Sequence, residues 1–204
     1  MRYGIINAMA EEKAALVAAM TDEKQTTIAG KLFHHGKIGN VDVVVVESGI
    51  GKVASALTTT LLITNFAVDA VINSGSAGAL GADLRIGDVV VASELAYADA
   101  DARAFGYVYG QVPQQPARFV TDEALSAGLA AVYGDVTDAR LVRGLIVTSD
   151  SFISGEEQKQ TILANFADAQ SAEMEGASIA QVAHYFDVPF AVVRAISDNA
   201  NGEA

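Results

Sequence analysis

Three acidic residues, Glu12, Glu175 and Asp198, each follow closely on an apolar run that is typical of a buried β-strand. Carboxyl groups in this number can supply a general base, an acceptor for substrate hydroxyls and a general acid. Each also has a purely structural interpretation, because acids favour helix N-termini and aspartate is common in turns. Their shared position after strands favours one common site.

The elements that must position these acids alternate along the chain. Valine- and isoleucine-rich runs predict strands at Arg2–Asn7, Val41–Ser48, Ala70–Ser74, Asp88–Glu94, Val142–Thr148 and Phe190–Ile196, a weaker strand at Thr26–His34 that pairs with Val41–Ser48, and a short one at Ser171–Met174. Alanine-rich patterns predict helices at Glu11–Met20, Val53–Asn65, Asp122–Tyr133, Glu156–Asn165 and Gly176–Phe186. This alternation predicts one α/β domain over residues 1–204, with three layers and a mixed, mostly parallel twisted sheet. Ligands of such sheets bind beyond the carboxyl ends of the strands.

Arg194 is a charged residue inside the otherwise apolar run Phe190–Ile196. A buried arginine requires a carboxylate or an anion as its partner. We expect that partner among the same acids, as a structural ion pair or as part of the site.

Two glycine-rich segments follow predicted strands. Gly49–Ala54 partly matches the dinucleotide fingerprint G-x-G-x-x-G/A, but it follows the third strand-like run, and Asp69 precedes the next strand instead of ending it. We therefore keep nicotinamide cofactor binding only as a minor alternative. Gly75–Gly78 predicts a tight turn whose backbone a ligand can approach closely.

Composition excludes several classes of protein. The chain has 204 residues, 51% of them hydrophobic, and no cysteine, so thiol catalysis and cysteine-bound metals are excluded. A net charge of −12 argues against nucleic-acid binding, and no run is long enough for a membrane helix. His34, His35 and His184 lie away from the strand ends, so neither a catalytic metal nor a Ser-His-Asp triad is expected. We expect a cytoplasmic protein without a metal or other cofactor.

The stretch 97–119 is rich in aromatic residues and has little periodicity. A loop of this length within a compact domain is usually functional or part of an interface.

Together these segments closely resemble the 5′-methylthioadenosine/S-adenosylhomocysteine nucleosidases of the nucleoside phosphorylase superfamily. The resemblance covers essentially all 204 residues. Its segments are 4–12, 48–54, 73–78, 104–111, 143–146, 150–153, 173–177 and 193–198.

The resemblance implies hydrolysis of the N-glycosidic bond of 5′-methylthioadenosine, S-adenosylhomocysteine and 5′-deoxyadenosine. By position, Asp198 is the acid at adenine N7, Glu12 activates water, and Glu175 accepts the ribose hydroxyls. Ser76 and Arg194 lie around the water and the sugar. The expected substrate-binding residues are Met9, Ile50, Ala77, Gly78, Phe152, Ile153, Met174 and Ser197, with Phe152 stacked on adenine and Ser197 beside Asp198.

The resemblance also implies a homodimer, in which Phe105, Tyr107 and Pro113 of the neighbouring subunit close over the 5′-thio group. Two positions depart from the usual family pattern, Ala10 in place of glutamate and Ala98 in place of histidine. We also expect a C-terminal helix after the last strand, in a segment that this sequence does not contain.

Two alternatives stay open. One is a purine or uridine nucleoside phosphorylase, although Glu12 would repel a phosphate ion bound nearby. The other is a non-catalytic protein that binds adenine nucleosides, although a mere binder needs neither a general acid nor a water-activating residue.

Overall fold

A ten-stranded mixed sheet forms the centre of the fold. The computed structural model describes residues 1–136 and 139–200. The strands are β1 (Arg2–Asn7), β2 (Thr21–Ile28), β3 (Lys31–Ile38), β4 (Val41–Glu47), β5 (Ala70–Ala79), β6 (Val89–Tyr97), β7 (Phe119–Val120), β8 (Leu141–Thr148), β9 (Ala169–Glu173) and β10 (Phe190–Asp198). The helices are α1 (Ala10–Ala18), α2 (Lys52–Phe66), α3 (Glu123–Val136), α4 (Glu156–Asn165) and α5 (Gly176–Tyr185), with a short 3₁₀ turn at Arg103–Phe105.

The sheet combines parallel and antiparallel pairs, and its β2–β3–β4 edge is antiparallel. β1 pairs in parallel with β4 and β5, β5 with β10, and β8 with β6 and β9. Antiparallel pairs of β6 with β10 and of β5 with β9 then join the strands into a closed cycle, β5–β10–β6–β8–β9. The predicted α/β class with a mixed sheet is confirmed, but the sheet closes on itself along part of its width.

The predicted strand Thr26–His34 is wrong. The chain turns in the middle of that range, at Ala29 and Gly30, whose φ angles are 49° and 76°. β2 and β3 lie on either side of this turn, and β3 pairs with β4 as expected. Because β2 is polar and largely exposed, it carries none of the apolar pattern by which the other strands are recognised.

β5 extends further than predicted. Gly75–Gly78 belong to this strand and do not form a turn, because β10 supplies a parallel neighbour along their whole length. The register places Arg194 opposite Gly75, and Asp198 opposite Gly78. Two predicted catalytic residues are thereby fixed against the glycine-rich end of β5.

Apolar packing on both faces holds the sheet in place. α1 and α2 both contact β1 and β4, and α5 packs on α2 and β8. Leu62 of α2 is fully buried and lies so close to Gly4 of β1 that a Cβ atom there would overlap it. Burying a leucine side chain contributes about 2 kcal/mol, so this contact helps fix α2 on the sheet. No helix among the described residues is long and apolar enough to cross a membrane.

Candidate active site

A cavity of about 150 Å³ lies beyond the carboxyl ends of β1, β5, β9 and β10. It brings together all five predicted catalytic residues, namely Glu12, Ser76, Glu175, Arg194 and Asp198. It is also lined by every predicted substrate-binding residue of this chain, namely Met9, Ile50, Ala77, Gly78, Phe152, Ile153, Met174 and Ser197. The remaining lining residues are Ala8, Ser151, Ala172 and Glu173.

Glu12 has both a structural and a site-facing carboxylate oxygen. Oε2 accepts hydrogen bonds from the backbone N–H groups of Ala8 and Met9, at 2.9 and 3.1 Å, where α1 begins. Oε1 accepts from the backbone N–H of Ser76 at 2.9 Å and from its hydroxyl at 3.2 Å. The structural interpretation of this residue therefore holds for one oxygen, while the other lies at the cavity.

Gly75 is the point at which β5 allows Glu12 and Arg194 to approach each other. A Cβ atom at this position would lie 2.8 Å from Oε1 of Glu12 and would overlap Nη1 of Arg194. Only glycine leaves room for both side chains above the strand.

Arg194 is paired with a residue that the sequence-based reasoning did not assign. Its Nη2 atom contacts Glu173 in a buried ion pair and donates to Oδ1 of Asn73 at 2.6 Å. Oε2 of Glu175 lies 3.4 Å from the same nitrogen, and Arg194 has no ion pair with Glu12 or Asp198 among the described residues. The expected partner among Glu12, Glu175 and Asp198 is thus found only in this longer contact, and Glu173 is the main partner.

Glu173 could have been noticed by its position at the end of a predicted strand. It lies two residues before Glu175, and period-two alternation places the two side chains on the same face of an extended segment. That signal pointed to a second acid beside the first, although it did not identify its partner.

Glu175 lies at the start of α5 and is almost fully buried. Its Oε1 atom accepts a hydrogen bond from the N–H of Gly51 at 2.9 Å. Burial raises the pKa of Glu175 above its usual value, and the negative charge of Glu173 adds to the rise. The charge of Arg194 and the Gly51 hydrogen bond oppose it. Oε2 is left as the oxygen that can accept from a ligand.

Asp198 ends β10 as a buried side chain held from two directions. Oδ1 accepts from the N–H of Ala200 at 2.8 Å, and the hydroxyl of Ser197 donates to Oδ2 at 2.9 Å. The carboxyl group is therefore fixed in one orientation above Gly78.

Part of the cavity lining is apolar. Met9, Met174, Ile50 and Phe152 form this apolar part, and the last two are 59% and 57% exposed. A flat ring can stack on Phe152, while an uncharged chain can lie along the methionines and Ile50.

Backbone N–H groups of the Gly49–Ala54 segment already donate hydrogen bonds to side chains of the protein. The N–H of Gly51 donates to Glu175, and that of Lys52 donates to Asp150 at 2.9 Å. A dinucleotide pyrophosphate would need these same N–H groups at the start of α2, so their existing partners argue against nicotinamide cofactor binding here. Nζ of Lys52 also contacts Asp99 at 2.8 Å and Asp150 at 3.4 Å, which links the start of α2 to the segments that follow β6 and β8.

Phe105, Tyr107 and Pro113 do not line the cavity of their own chain. Phe105 is 82% exposed and belongs to the short 3₁₀ turn of the 97–119 loop.

His34 lies away from the cavity and pairs with Glu23 in the β2–β3 hairpin. Within residues 1–136 and 139–200, no three His, Asp or Glu side chains are grouped as a metal site would require.

Comparison with known proteins places this geometry in a family. The profile of the phosphorylase superfamily matches residues 2–204. The 5′-methylthioadenosine/S-adenosylhomocysteine nucleosidase of Shewanella pealeana is 48% identical over 204 residues, which cover 100% of this chain and 89% of that protein.

Solved structures agree with this assignment. One from Weissella paramesenteroides is 84% identical with a TM-score of 0.95, and the match covers 100% of this chain and 87% of that one. The 5′-methylthioadenosine/S-adenosylhomocysteine nucleosidase of Colwellia psychrerythraea, solved in complex with adenine, is 46% identical with a TM-score of 0.97, covering 100% of this chain and 84% of that one. The chain therefore belongs to the phosphorylase superfamily and, within it, to the 5′-methylthioadenosine/S-adenosylhomocysteine nucleosidases.

Proposed function

We propose that the protein hydrolyses the N-glycosidic bond of 5′-methylthioadenosine and S-adenosylhomocysteine, and also that of 5′-deoxyadenosine. The products are adenine and the corresponding 5-substituted ribose. The observation that carries this proposal is the convergence of Glu12, Glu175 and Asp198 on one cavity with an apolar wall. The family membership supports the same reaction.

Asp198 is assigned as the acid at adenine N7. Departure of the base leaves negative charge on adenine, and a proton delivered to N7 neutralises it. The Ser197 hydroxyl and the Ala200 N–H orient the Asp198 carboxyl group, which supports a fixed direction for that proton. Phe152 stacks on the adenine ring, and the backbone of Ile153 contacts its edge.

Glu12 is assigned as the base that activates the attacking water. Its Oε1 atom lies at the cavity beside Ser76, and both this atom and the Arg194 guanidinium lie close to Gly75. Water that donates a proton to Oε1 becomes the nucleophile at the anomeric carbon, where positive charge develops as the bond breaks. Ser76 and Arg194 orient the water and the sugar.

Glu175 is assigned as the acceptor for the ribose hydroxyls through Oε2. Met9, Ile50 and Met174 supply an apolar wall for the sugar and its 5′ substituent. An uncharged thioether suits such a wall better than a phosphate does.

Phosphorolysis is the main competing reaction. A phosphate nucleophile needs N–H and O–H donors at the strand end, and those of Ser76 are already directed to the carboxylate of Glu12. The test is adenine release from 5′-methylthioadenosine in phosphate-free buffer, repeated with added phosphate.

Adenine and a free reducing sugar in both buffers support hydrolysis. Release only with phosphate, as a sugar 1-phosphate, would identify a phosphorylase and require a new role for Glu12. Binding without release in either buffer would identify a non-catalytic binding protein.

We further infer a homodimer in which Phe105, Tyr107 and Pro113 of one subunit cover the cavity of the other. Ile50 lines the cavity and is exposed, and it continues into the exposed apolar residues Val53 and Leu57 of α2. After Lys52 this helix contains no charged residue. An apolar row of this kind at the cavity mouth favours burial against a second copy.

The absence of cysteine suits the reducing cytoplasm, where we place the protein.

A further inference from the structure

Glu173 is a buried carboxylate to which the reaction scheme above gives no role. Its side chain lines the cavity, and the residue is 6% exposed. Oε2 accepts from the N–H groups of Glu175 and Gly176, at 3.0 and 2.7 Å, and Oε1 accepts from the Thr148 hydroxyl. These hydrogen bonds explain how α5 begins. They do not explain the ion pair with Arg194.

The Arg194 guanidinium has two differently placed ends. Nη2 contacts Glu173 and Asn73, whereas Nη1 lies 3.4 Å from the carbonyl oxygen of Ser76, above Gly75 and near Glu12. Because the guanidinium is planar and rigid, fixing Nη2 also fixes the direction of Nη1.

Arg194 is the only cation among the described residues that line the cavity, and four carboxyl groups share that lining with it. Glu175 competes most directly, since its Oε2 atom is already 3.4 Å from Nη2. Oε1 of Glu175 is occupied by the Gly51 N–H. If Nη2 moved onto Oε2, Glu175 would lose the oxygen that must accept from the ribose.

We propose that Glu173 is a positioning residue that holds Nη2 of Arg194, so that Oε2 of Glu175 stays free for the ribose hydroxyls and Nη1 stays beside Glu12. The inference rests on the proposed hydrolysis and deepens it. Glu173 thereby keeps one arginine from neutralising the two carboxylates that act on the substrate.

The charges around Glu175 give this role a measurable signature. Glu173 faces it from β9, Arg194 from β10 and Glu12 from α1, while the loop before α2 contributes the Gly51 N–H. Without the charge of Glu173, one cause of the raised pKa of Glu175 disappears and the attraction to Arg194 grows. The pKa of Glu175 should therefore fall.

The experiment is Glu173→Gln, assayed for kcat and KM with 5′-methylthioadenosine across pH and for adenine binding by calorimetry. We expect KM to rise about tenfold or more, since a hydrogen bond to a charged group is lost. The acid limb of the KM profile should move to lower pH. Adenine affinity should stay within about twofold, because adenine has no ribose.

Thr148→Val is the matched control, because it removes the donor to Oε1 of Glu173 and leaves the Arg194 ion pair. We expect a less stable protein with a nearly unchanged KM. An equal rise of KM in this variant would assign the effect to the start of α5 and overturn the proposal. So would an unchanged KM and acid limb in Glu173→Gln.

Arg194→Lys tests the same proposal without altering Glu173, should Glu173→Gln not fold. Lysine has a single amino group, which Glu173 should retain, leaving the Glu12 side without a donor. We expect kcat to fall while KM changes little; a raised KM at unchanged kcat would overturn the proposal. The wild-type enzyme is the reference throughout. If the wild type does not release adenine, both the proposed hydrolysis and the proposed role of Glu173 are refuted. If it releases adenine normally but Glu173→Gln leaves KM and its pH dependence unchanged, only the role of Glu173 is refuted.

Discussion

The guanidinium of Arg194 lies directly over the backbone of Gly75, its register partner on the neighbouring parallel strand. Glu12 reaches the same glycine from α1, with Oε1 2.8 Å from where a Cβ atom would be. The absence of a side chain at Gly75 thus allows the carboxylate of Glu12 and the guanidinium of Arg194 to lie close together at the cavity.

Adding a methyl group at this position should damage catalysis more than folding. In Gly75→Ala, Arg194 and Glu12 must both move, and a displacement of this kind costs about 10²-fold in kcat. Gly128→Ala is the control, because a Cβ atom there meets nothing within 4 Å, and alanine in the α3 interior should stabilise by about 0.5–1 kcal/mol. Steady-state kinetics and thermal unfolding of both variants check the prediction. Near-normal kcat in Gly75→Ala would contradict it.

Asp198→Asn should abolish turnover while largely sparing adenine binding. The amide cannot deliver a proton to N7, so kcat should fall about 10²–10⁴-fold. Ser197→Ala removes one hydrogen bond to Asp198 and should cause a smaller loss. Adenine release and adenine titration calorimetry measure the two effects. A nearly normal rate in Asp198→Asn would refute the acid role.

Glu12→Gln should reduce kcat by about 10²–10⁴-fold, because the amide cannot take a proton from water. It should also lower stability by about 1 kcal/mol, since the carboxylate that accepts from Ala8 and Met9 at the start of α1 is lost. Glu11→Gln, an exposed acid in the same helix turn, is the control. If Glu12→Gln mainly raised KM, its role would lie in ribose binding instead.

Protonation of Glu175 should make KM rise as the pH is lowered, and this rise is the acid limb of the KM profile. Its pKa is raised above the ordinary value of 4.5, so protonation on lowering the pH removes the ribose acceptor at a higher pH than an exposed glutamate would. The folded state also binds this proton more tightly than the unfolded chain, so the contribution of Glu175 to the unfolding free energy falls as pH rises above 4.5.

Glu175→Gln tests both consequences. KM should be high and lack this limb, and the unfolding temperature at neutral pH should rise. Glu157→Gln, at the exposed start of α4, should change neither. Retention of the limb in Glu175→Gln would assign it to another group.

Mixed subunits should restore activity if the cavity is completed across a dimer. Phe105→Ala and Asp198→Asn are each expected to be impaired, but a mixed dimer contains one site with both native residues. Random mixing should recover about a quarter of wild-type activity, and a dimer mass should be found by sedimentation. No recovery in verified mixed dimers, or a stable monomer with full activity, would contradict the proposed dimer.

The strand-end acids were predictable because their positions follow from local pattern alone. Glu12, Glu175 and Asp198 come after apolar runs, and the carboxyl ends of the parallel strands β1, β5 and β10 meet at one edge, which brings Glu12 and Asp198 together. Glu175 joins them although β9 runs antiparallel to β5, because these two strands pair only at their carboxyl-terminal residues. Gly75–Gly78 were misassigned as a turn because their strand pairing depends on β10, more than a hundred residues later in the chain. The turn at Ala29 and Gly30 was missed because Gly30 was its one signal in residue type, and the polar, exposed strand β2 before it has no apolar pattern to mark a separate strand.

The partner of Arg194 could not be predicted for a related reason. Sequence pattern indicated that a buried charge needed a carboxylate, but the choice between Glu173 at the end of β9 and Glu175 at the start of α5 depends on the paths of side chains between elements that are not neighbours in the sheet. Two acids separated by two positions both reach the arginine, and only the geometry distinguishes an ion pair from a longer contact.

The two-sided hydrogen bonding of Glu12 bears on how readily this scaffold could change its nucleophile. A phosphate-using descendant would need the Ser76 donors, and removing the Glu12 carboxylate would release them. The same replacement would deprive Ala8 and Met9 of their acceptor and loosen the start of α1. Conversion would therefore require a compensating cap on α1 alongside the exchanged acid, so a single substitution is expected to yield a destabilised enzyme before it yields a phosphorylase.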